Sequence, residues 1–173
     1  GYLAIAPAMF DRQQRHVDLG YTAETVAVGR TLKDEIGWDD PVADMKAGLA
    51  ALREAVGADG KIGVVGYCWG GSLAWLAACR LETDCVVGYY GGQIGQFNDE
   101  QPGSPTMLHF GSEDSGIPMT TVADIRDAHA DVVVHVYDGA GHGFNCDQRA
   151  DYDPAAFALA RERTMAHCAE HLG

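Results

Sequence analysis

The sequence predicts an α/β fold with a mainly parallel sheet flanked by helices. Three observations predict it. Five short apolar runs, rich in valine, do not alternate strictly with polar residues, as in strands buried on both faces. Segments with helical spacing of apolar residues lie between most of them. The resulting order of strand, helix, strand, helix suits parallel neighbours, which need crossover connections.

The first apolar run, residues 2–7, is read as a strand ending in Pro7. Residues 11–38 are less regular, with a possible helix at 22–36 weakened by Gly29, and could help cover a pocket. Asp40-Pro41 reads as an N-cap followed by proline at the first helical position. Val42, Met45, Leu49, Leu52 and Val56 then recur on one helix face, and Gly57 is a natural stop. Residues 62–67, 85–90, 106–110 and 132–137 are four more strands. A buried helix of small apolar residues spans 70–80, and a short one spans 119–129. Asp153-Pro154 opens a last helix that runs to about His171.

A length of 173 residues is expected to fill one domain, residues 1–173. The composition, 47% apolar and 21% charged, is that of a globular protein. Twelve basic against 25 acidic residues give a net charge of −13, which disfavours nucleic acid and anionic membrane surfaces as partners. No apolar run approaches the length of a membrane span. The first residues read as a core strand without a starting methionine, so the chain is expected to be a C-terminal piece of a longer domain. The five cysteines, Cys68, Cys79, Cys85, Cys146 and Cys168, cannot all pair and contain no C-x-x-C. Free thiols point to a reducing compartment, and the cytoplasm is the expected location.

One constellation carries chemistry. The strand 62–67 runs into Gly66-Tyr67-Cys68-Trp69-Gly70-Gly71 and then into a helix. This is the G-x-nucleophile-x-G pattern, with cysteine as nucleophile. The sharp turn holds the nucleophile in a strained backbone, and glycines on either side avoid collisions. The following helix N-terminus favours a thiolate and a developing oxyanion, with the Trp69 N–H as one oxyanion donor. A buried cysteine in a tight turn is the bland alternative; the strand before it and the helix after it favour the nucleophile.

Such a nucleophile needs a base and an orienting acid, in the chain order nucleophile, acid, histidine. Strand 106–110 is followed by Glu113 and Asp114, and strand 132–137 by His142 between two glycines. Asp114 is preferred to Glu113 because it lies deeper in its loop, beside Gly116-Ile117-Pro118. His142 titrates near neutral pH and sits where the mechanism requires a base. The remaining histidines lie in strands or on helices. His167 and His171, four apart, more often serve a helix C-terminus than a metal, and no metal or other cofactor is expected.

Together these stretches resemble the dienelactone hydrolase family of α/β-hydrolases. The resemblance rests on Gly1–Arg12, Lys61–Gly71, Val87–Gly92, Met107–Pro118 and Gly139–Phe144. It implies an α/β-hydrolase fold here lacking its N-terminal strands, which would leave one sheet edge unpaired. It also implies hydrolysis of a small ester or lactone through a thioester acyl-enzyme. Cys68 would be the nucleophile, His142 the general base and then acid, and Asp114 the residue orienting His142. Family members that cleave dienelactone hold its carboxylate with arginines. Arg12 matches one such position, and is otherwise a solvated arginine in a polar stretch. Cys146 stands where a second arginine is expected, which opens the site to a different or broader ester. Tyr90 would line the pocket or serve plain core packing.

Two rival readings belong to other classes. A non-catalytic relative would bind a small molecule or a protein partner, and detectable ester turnover separates it from the hydrolase. A thiol redox protein would need a resolving cysteine at short spacing. The assembly state stays open between monomer, homodimer and association with a missing N-terminal segment.

Overall fold

The computed structural model describes residues 1–57 and 59–173. They form two compact units, Gly1–Gly60 and Lys61–Gly173.

In the first unit, helix α1 spans Ala23–Ile36 and helix α2 spans Asp39–Val56. Thr22 caps α1, its hydroxyl accepting the Thr25 N–H at 3.3 Å. Helix α2 begins before the expected Asp40 cap, with Trp38 as N-cap. Pro41 therefore falls inside the first turn, where its missing N–H removes no intrahelical bond. Met45 and Pro41 are buried, whereas Val56 is exposed, so the apolar face fades toward the end of the helix. Gly57 stops α2 with φ 87°, a left-handed conformation that suits glycine.

The expected strand at residues 2–7 does not form. The segment has no regular secondary structure, and Tyr2, Leu3 and Ile5 are exposed. A strand exists only through the neighbour that takes its N–H and C=O groups. Among the described residues no strand pairs with this segment.

The second unit holds a four-stranded, fully parallel sheet in the order β1-β2-β3-β4. The strands are β1 Gly63–Tyr67, β2 Cys85–Tyr89, β3 Thr106–Gly111 and β4 Val133–Tyr137. Each lies within a residue of the expected bounds. Helices α3 Trp69–Arg80, α4 Met119–Ala128 and α5 Pro154–Leu172 follow β1, β3 and β4. Asp153 caps α5 as expected, accepting from the N–H groups of Ala155 and Ala156 at 2.9 Å.

Alternation along β2 shows that α3 and α5 cover opposite faces. A side chain at Gly88 would meet the Gly71 carbonyl of α3, while the next residue, Tyr89, hydrogen-bonds Thr164 and Ala160 of α5. Both β2 and β3 are buried along their whole length. Helix α3 buries every residue from Gly71 to Ala78, and Ala74 and Ala78 pack on Val86. Trp75 is fully buried, and its indole N–H donates to the Phe97 carbonyl at 3.2 Å. Because all four strands run the same way, the loops that leave their C-terminal ends gather at one end of the sheet.

Candidate active site

The turn between β1 and α3 is a single residue, Cys68, with φ 55° and ψ −118°. A left-handed backbone at a non-glycine residue costs on the order of 1–3 kcal/mol and has to be held by its surroundings. Here the Cys68 N–H donates to the Tyr89 carbonyl at 3.0 Å, and its carbonyl accepts from Gly71 and Ser72 at 2.9 and 3.2 Å. A Cβ at Gly66 would run into the Gly70 carbonyl, so only glycine fits there. The expectation that Gly70 is needed for the same reason is not met, since a Cβ there would find open space. The constraint falls one residue later, on Gly71, where a Cβ would meet the Tyr89 carbonyl.

Asp114 follows β3 and His142 follows β4. Their loops are tied together by Glu113 N–H to the Ala140 carbonyl at 3.0 Å and by Gly139 N–H to Ser112 Oγ at 2.8 Å. Asp114 is buried, whereas Glu113 is exposed. One Asp114 oxygen accepts the Gly116 N–H at 2.9 Å, and the other lies 2.7 Å from His142 Nδ1. His142 Nε2 lies 3.1 Å from Cys68 Sγ. Three residues expected to meet, from three separate loops, thus form one hydrogen-bonded line.

The line perturbs both of its titrating ends. His142 is raised from its ordinary value to about 9, first by the hydrogen bond with Asp114 and then by that with Cys68, against the opposing effect of burial. For Cys68 burial is the largest influence and raises the thiol. The His142 hydrogen bond and charge, the Trp69 backbone N–H and the Arg149 charge together outweigh it, and the net shift is downward. Both shifts run in the direction of a thiolate beside an imidazolium.

Arg149 was not singled out in the sequence. Its side chain lies over Gly143, where a Cβ would come within 2.8 Å of the arginine Cδ. Gly143 has φ 80°, which turns the chain back after His142 and brings Arg149 within electrostatic reach of Cys68. The signal available was a glycine directly after the histidine and an arginine one loop turn later.

Tyr90 also has a left-handed backbone, with φ 37°. Its side chain is buried, with ring centroids 5.2 Å from His142 and 5.4 Å from Phe144. Trp69 opens α3 directly after Cys68, which puts its N–H at the nucleophile. Cys146 is half-buried beyond His142 and close enough to Tyr90 to act on its hydroxyl. Arg12 belongs to the first unit. There its Nε and Nη2 hold Asp44 at 2.7–3.1 Å, and its Nη1 lies 3.4 Å from Asp40. Among the described residues no group of three or more His, Cys, Asp or Glu side chains could hold a metal ion. Nor is any helix among them long and apolar enough to cross a membrane.

Comparison with known proteins places this geometry in context. The model of the dienelactone hydrolase family matches residues 1–172. A carboxymethylenebutenolidase of Pseudomonas putida is 32% identical over 171 residues, covering 95% of this chain and 72% of the relative. A carboxymethylenebutenolidase of Pseudomonas knackmussii matches with the same 32% identity and the same coverage, 95% and 72%. A crystal structure from Klebsiella pneumoniae, provisionally described as a dienelactone hydrolase, superposes with a TM-score of 0.82 at 26% identity, covering 98% of this chain and 75% of that one. A Pyrococcus furiosus esterase shares the fold, with a TM-score of 0.62 at 16% identity over 78% of this chain and 63% of its own.

Proposed function

The chain belongs to the dienelactone hydrolase family of α/β-hydrolases and is a hydrolase of the ester and lactone type, and from that premise we propose that Cys68, His142 and Asp114 carry out the cleavage. The observation that supports this most is the line Asp114, His142, Cys68, with links of 2.7 and 3.1 Å.

The proton's starting place sets the order of steps. The Cys68 thiolate attacks the carbonyl carbon, and the resulting oxyanion is met by the Trp69 N–H. The intermediate collapses, the C–O bond breaks, and the leaving alkoxide takes the proton from His142 Nε2. This leaves a thioester on Cys68 and a neutral His142. Water then gives its proton to Nε2 as its oxygen attacks the thioester. Collapse of the second intermediate releases the acid and restores thiolate and imidazolium. His142 thus acts first as acid and then as base, the reverse of the order expected for a neutral thiol. Asp114 accepts the Nδ1–H throughout, which fixes the ring and stabilises its charged form.

Iodoacetamide labelling tests the thiolate. At pH 7 Cys68 should react more than about tenfold faster than Cys79, whose thiol is pushed up to about 12, chiefly by burial. Cys85 and Cys168 are buried in the core, away from reagent. His142→Ala should slow Cys68 labelling at pH 7. Equal, slow labelling of all five thiols would overturn the activated thiolate.

The substrate is a small ester or lactone, and the names of the relatives point to a butenolide bearing a carboxymethylene group. On that reading the resemblance to the family assigns Arg12 to the substrate carboxylate, and Tyr90 backs the nucleophile. Arg12→Ala should then raise KM several-fold for a carboxylate-bearing lactone and leave a neutral aryl ester unchanged. An equal effect on both substrates would remove Arg12 from substrate recognition.

A further inference from the structure

Beneath the sheet, on the α5 side, lies a buried chain of polar groups that the proposed triad does not use. His109 in β3 is fully buried. Its Nδ1 lies 2.8 Å from the Tyr137 hydroxyl, and its Nε2 lies 3.1 Å from Thr164 Oγ1. Thr164 Oγ1 lies 2.6 Å from the Tyr89 hydroxyl, which donates to the Ala160 carbonyl at 3.2 Å. At the other end the Arg163 guanidinium lies over the Tyr137 ring, its carbon 5.4 Å from the ring centroid. The His109 ring is sandwiched, stacking on Tyr89 at 4.4 Å and on His135 at 5.6 Å.

Proton counting gives this chain a direction. Each hydroxyl has one proton to give and a neutral imidazole has one. The Ala160 carbonyl can only accept, so the Tyr89 proton goes to it, the Tyr89 oxygen accepts from Thr164, and Thr164 accepts from His109 Nε2–H. Within the chain, the Tyr137 proton then has one acceptor, His109 Nδ1. With Nδ1 accepting, the ring proton sits on Nε2 and is donated to Thr164. Thr164 gives its proton to the Tyr89 oxygen, and Tyr89 gives its own to the Ala160 carbonyl. Reversing the direction would leave the Tyr137 proton without an acceptor in the chain and break the Tyr89 bond to Ala160. The ring is neutral: burial, followed by the charges of His135, Arg163 and His167, holds His109 down to about 3.

The chain also reaches the site. The Tyr137 ring packs on Phe144 at 4.9 Å, and Phe144 is fully buried two residues past His142. Phe144 in turn meets Tyr90 edge-on at 5.4 Å, and Tyr90 lies against the His142 ring. We propose that the one-way chain from Tyr137 through His109, Thr164 and Tyr89 to the Ala160 carbonyl fixes His109 as its Nε2–H tautomer, and that it makes Tyr137 a positioning residue for His142. The second half rests on the triad reading given above.

NMR of the full chain with 15N-labelled histidine tests the first half, with His109 assigned by its absence from His109→Phe. The expected result is a protonated Nε2 and a bare Nδ1, unchanged from pH 5 to 8. A proton on Nδ1, or a ring that becomes charged in that range, overturns it. In Thr164→Val the link to the Ala160 carbonyl that gives the chain its direction is gone, and the second tautomer should appear beside the first. A single, unchanged Nε2–H tautomer there would overturn the Thr164 link as the source of direction. Tyr137→Phe keeps the ring against Phe144 but removes the oxygen that anchors it. It should lower kcat for an aryl ester several-fold, with KM within about twofold, well below its melting temperature. Thr164→Val cuts the chain beyond His109 and should leave kcat nearly unchanged. Wild-type kcat in Tyr137→Phe, or an equal loss in both variants, overturns the positioning role. Full activity in Cys68→Ala would instead sink the triad reading and leave the tautomer result standing.

Discussion

Cys68→Ala should lower kcat for a small aryl ester by about 10³-fold or more, leaving only what substrate binding and the oxyanion donor supply. The loss is steep because Cys68 Sγ is the atom hydrogen-bonded to His142 Nε2 and the one proposed to form the acyl bond. Cys68→Ser is informative in a different way. A serine hydroxyl keeps its proton at neutral pH, so His142 would have to begin as a base although its neighbours favour its charged form. Asp114→Asn should also cost roughly 10³-fold, because an amide N–H turned toward Nδ1 favours the wrong tautomer. Removing two of the three together should cost little more than removing one, since they act as a unit. Full activity in Cys68→Ala or Asp114→Asn would take that residue out of the mechanism. In the wild type the first step should fail as pH rises through about 9, where His142 loses the proton meant for the leaving group. The linked stability runs in the same direction. The raised His142 contribution is complete below the ordinary histidine value of 6.5 and is lost as pH rises through about 9.

Gly66→Ala should destabilise the second unit by on the order of 4 kcal/mol, near the upper end for one added methyl group. The obstacle is backbone: the new Cβ would overlap the Gly70 carbonyl at the start of α3. Relief would require the helix to shift, yet its first turn is pinned by the bonds to Cys68 and by the approach of Gly71 to Tyr89. Gly70→Ala is the matched comparison, since a methyl group there enters open space. It should cost less than about 1 kcal/mol. Urea unfolding of the two variants decides the matter. Equal midpoints would mean that the elbow yields more readily than its contacts suggest.

Much of the second unit was legible because its signals are local. Buried parallel strands must be apolar on both faces, so a run such as Val86-Val87 stands out without alternation. The Gly66 to Gly71 elbow was legible because its backbone geometry restricts residue types within a few positions. Asp114 could be preferred to Glu113 from its place in the loop, and its burial beside His142 agrees. Residues 2–7 misled because an apolar run reports the wish to be buried and says nothing of a partner. Arg149 escaped because its route to Cys68 depends on the backbone reversal at Gly143, which composition does not encode. The His109 chain was invisible for a related reason. Its members come from three strands and α5, and only the parallel register brings Tyr89, His109 and His135 side by side.

The hydrogen bond between His142 and Cys68 joins positions 74 residues apart along the chain. Every strand between them must dock in register before the two atoms can meet, and contacts of such long sequence separation form late and slowly. The acidity of one thiol is therefore a clock for the whole assembly. During refolding, a pulse of alkylating reagent would read Cys68 as an ordinary cysteine until β4 has settled against β3, and as a thiolate only afterwards. The activation of Cys68 and the completion of the four-stranded sheet are one event seen from two sides.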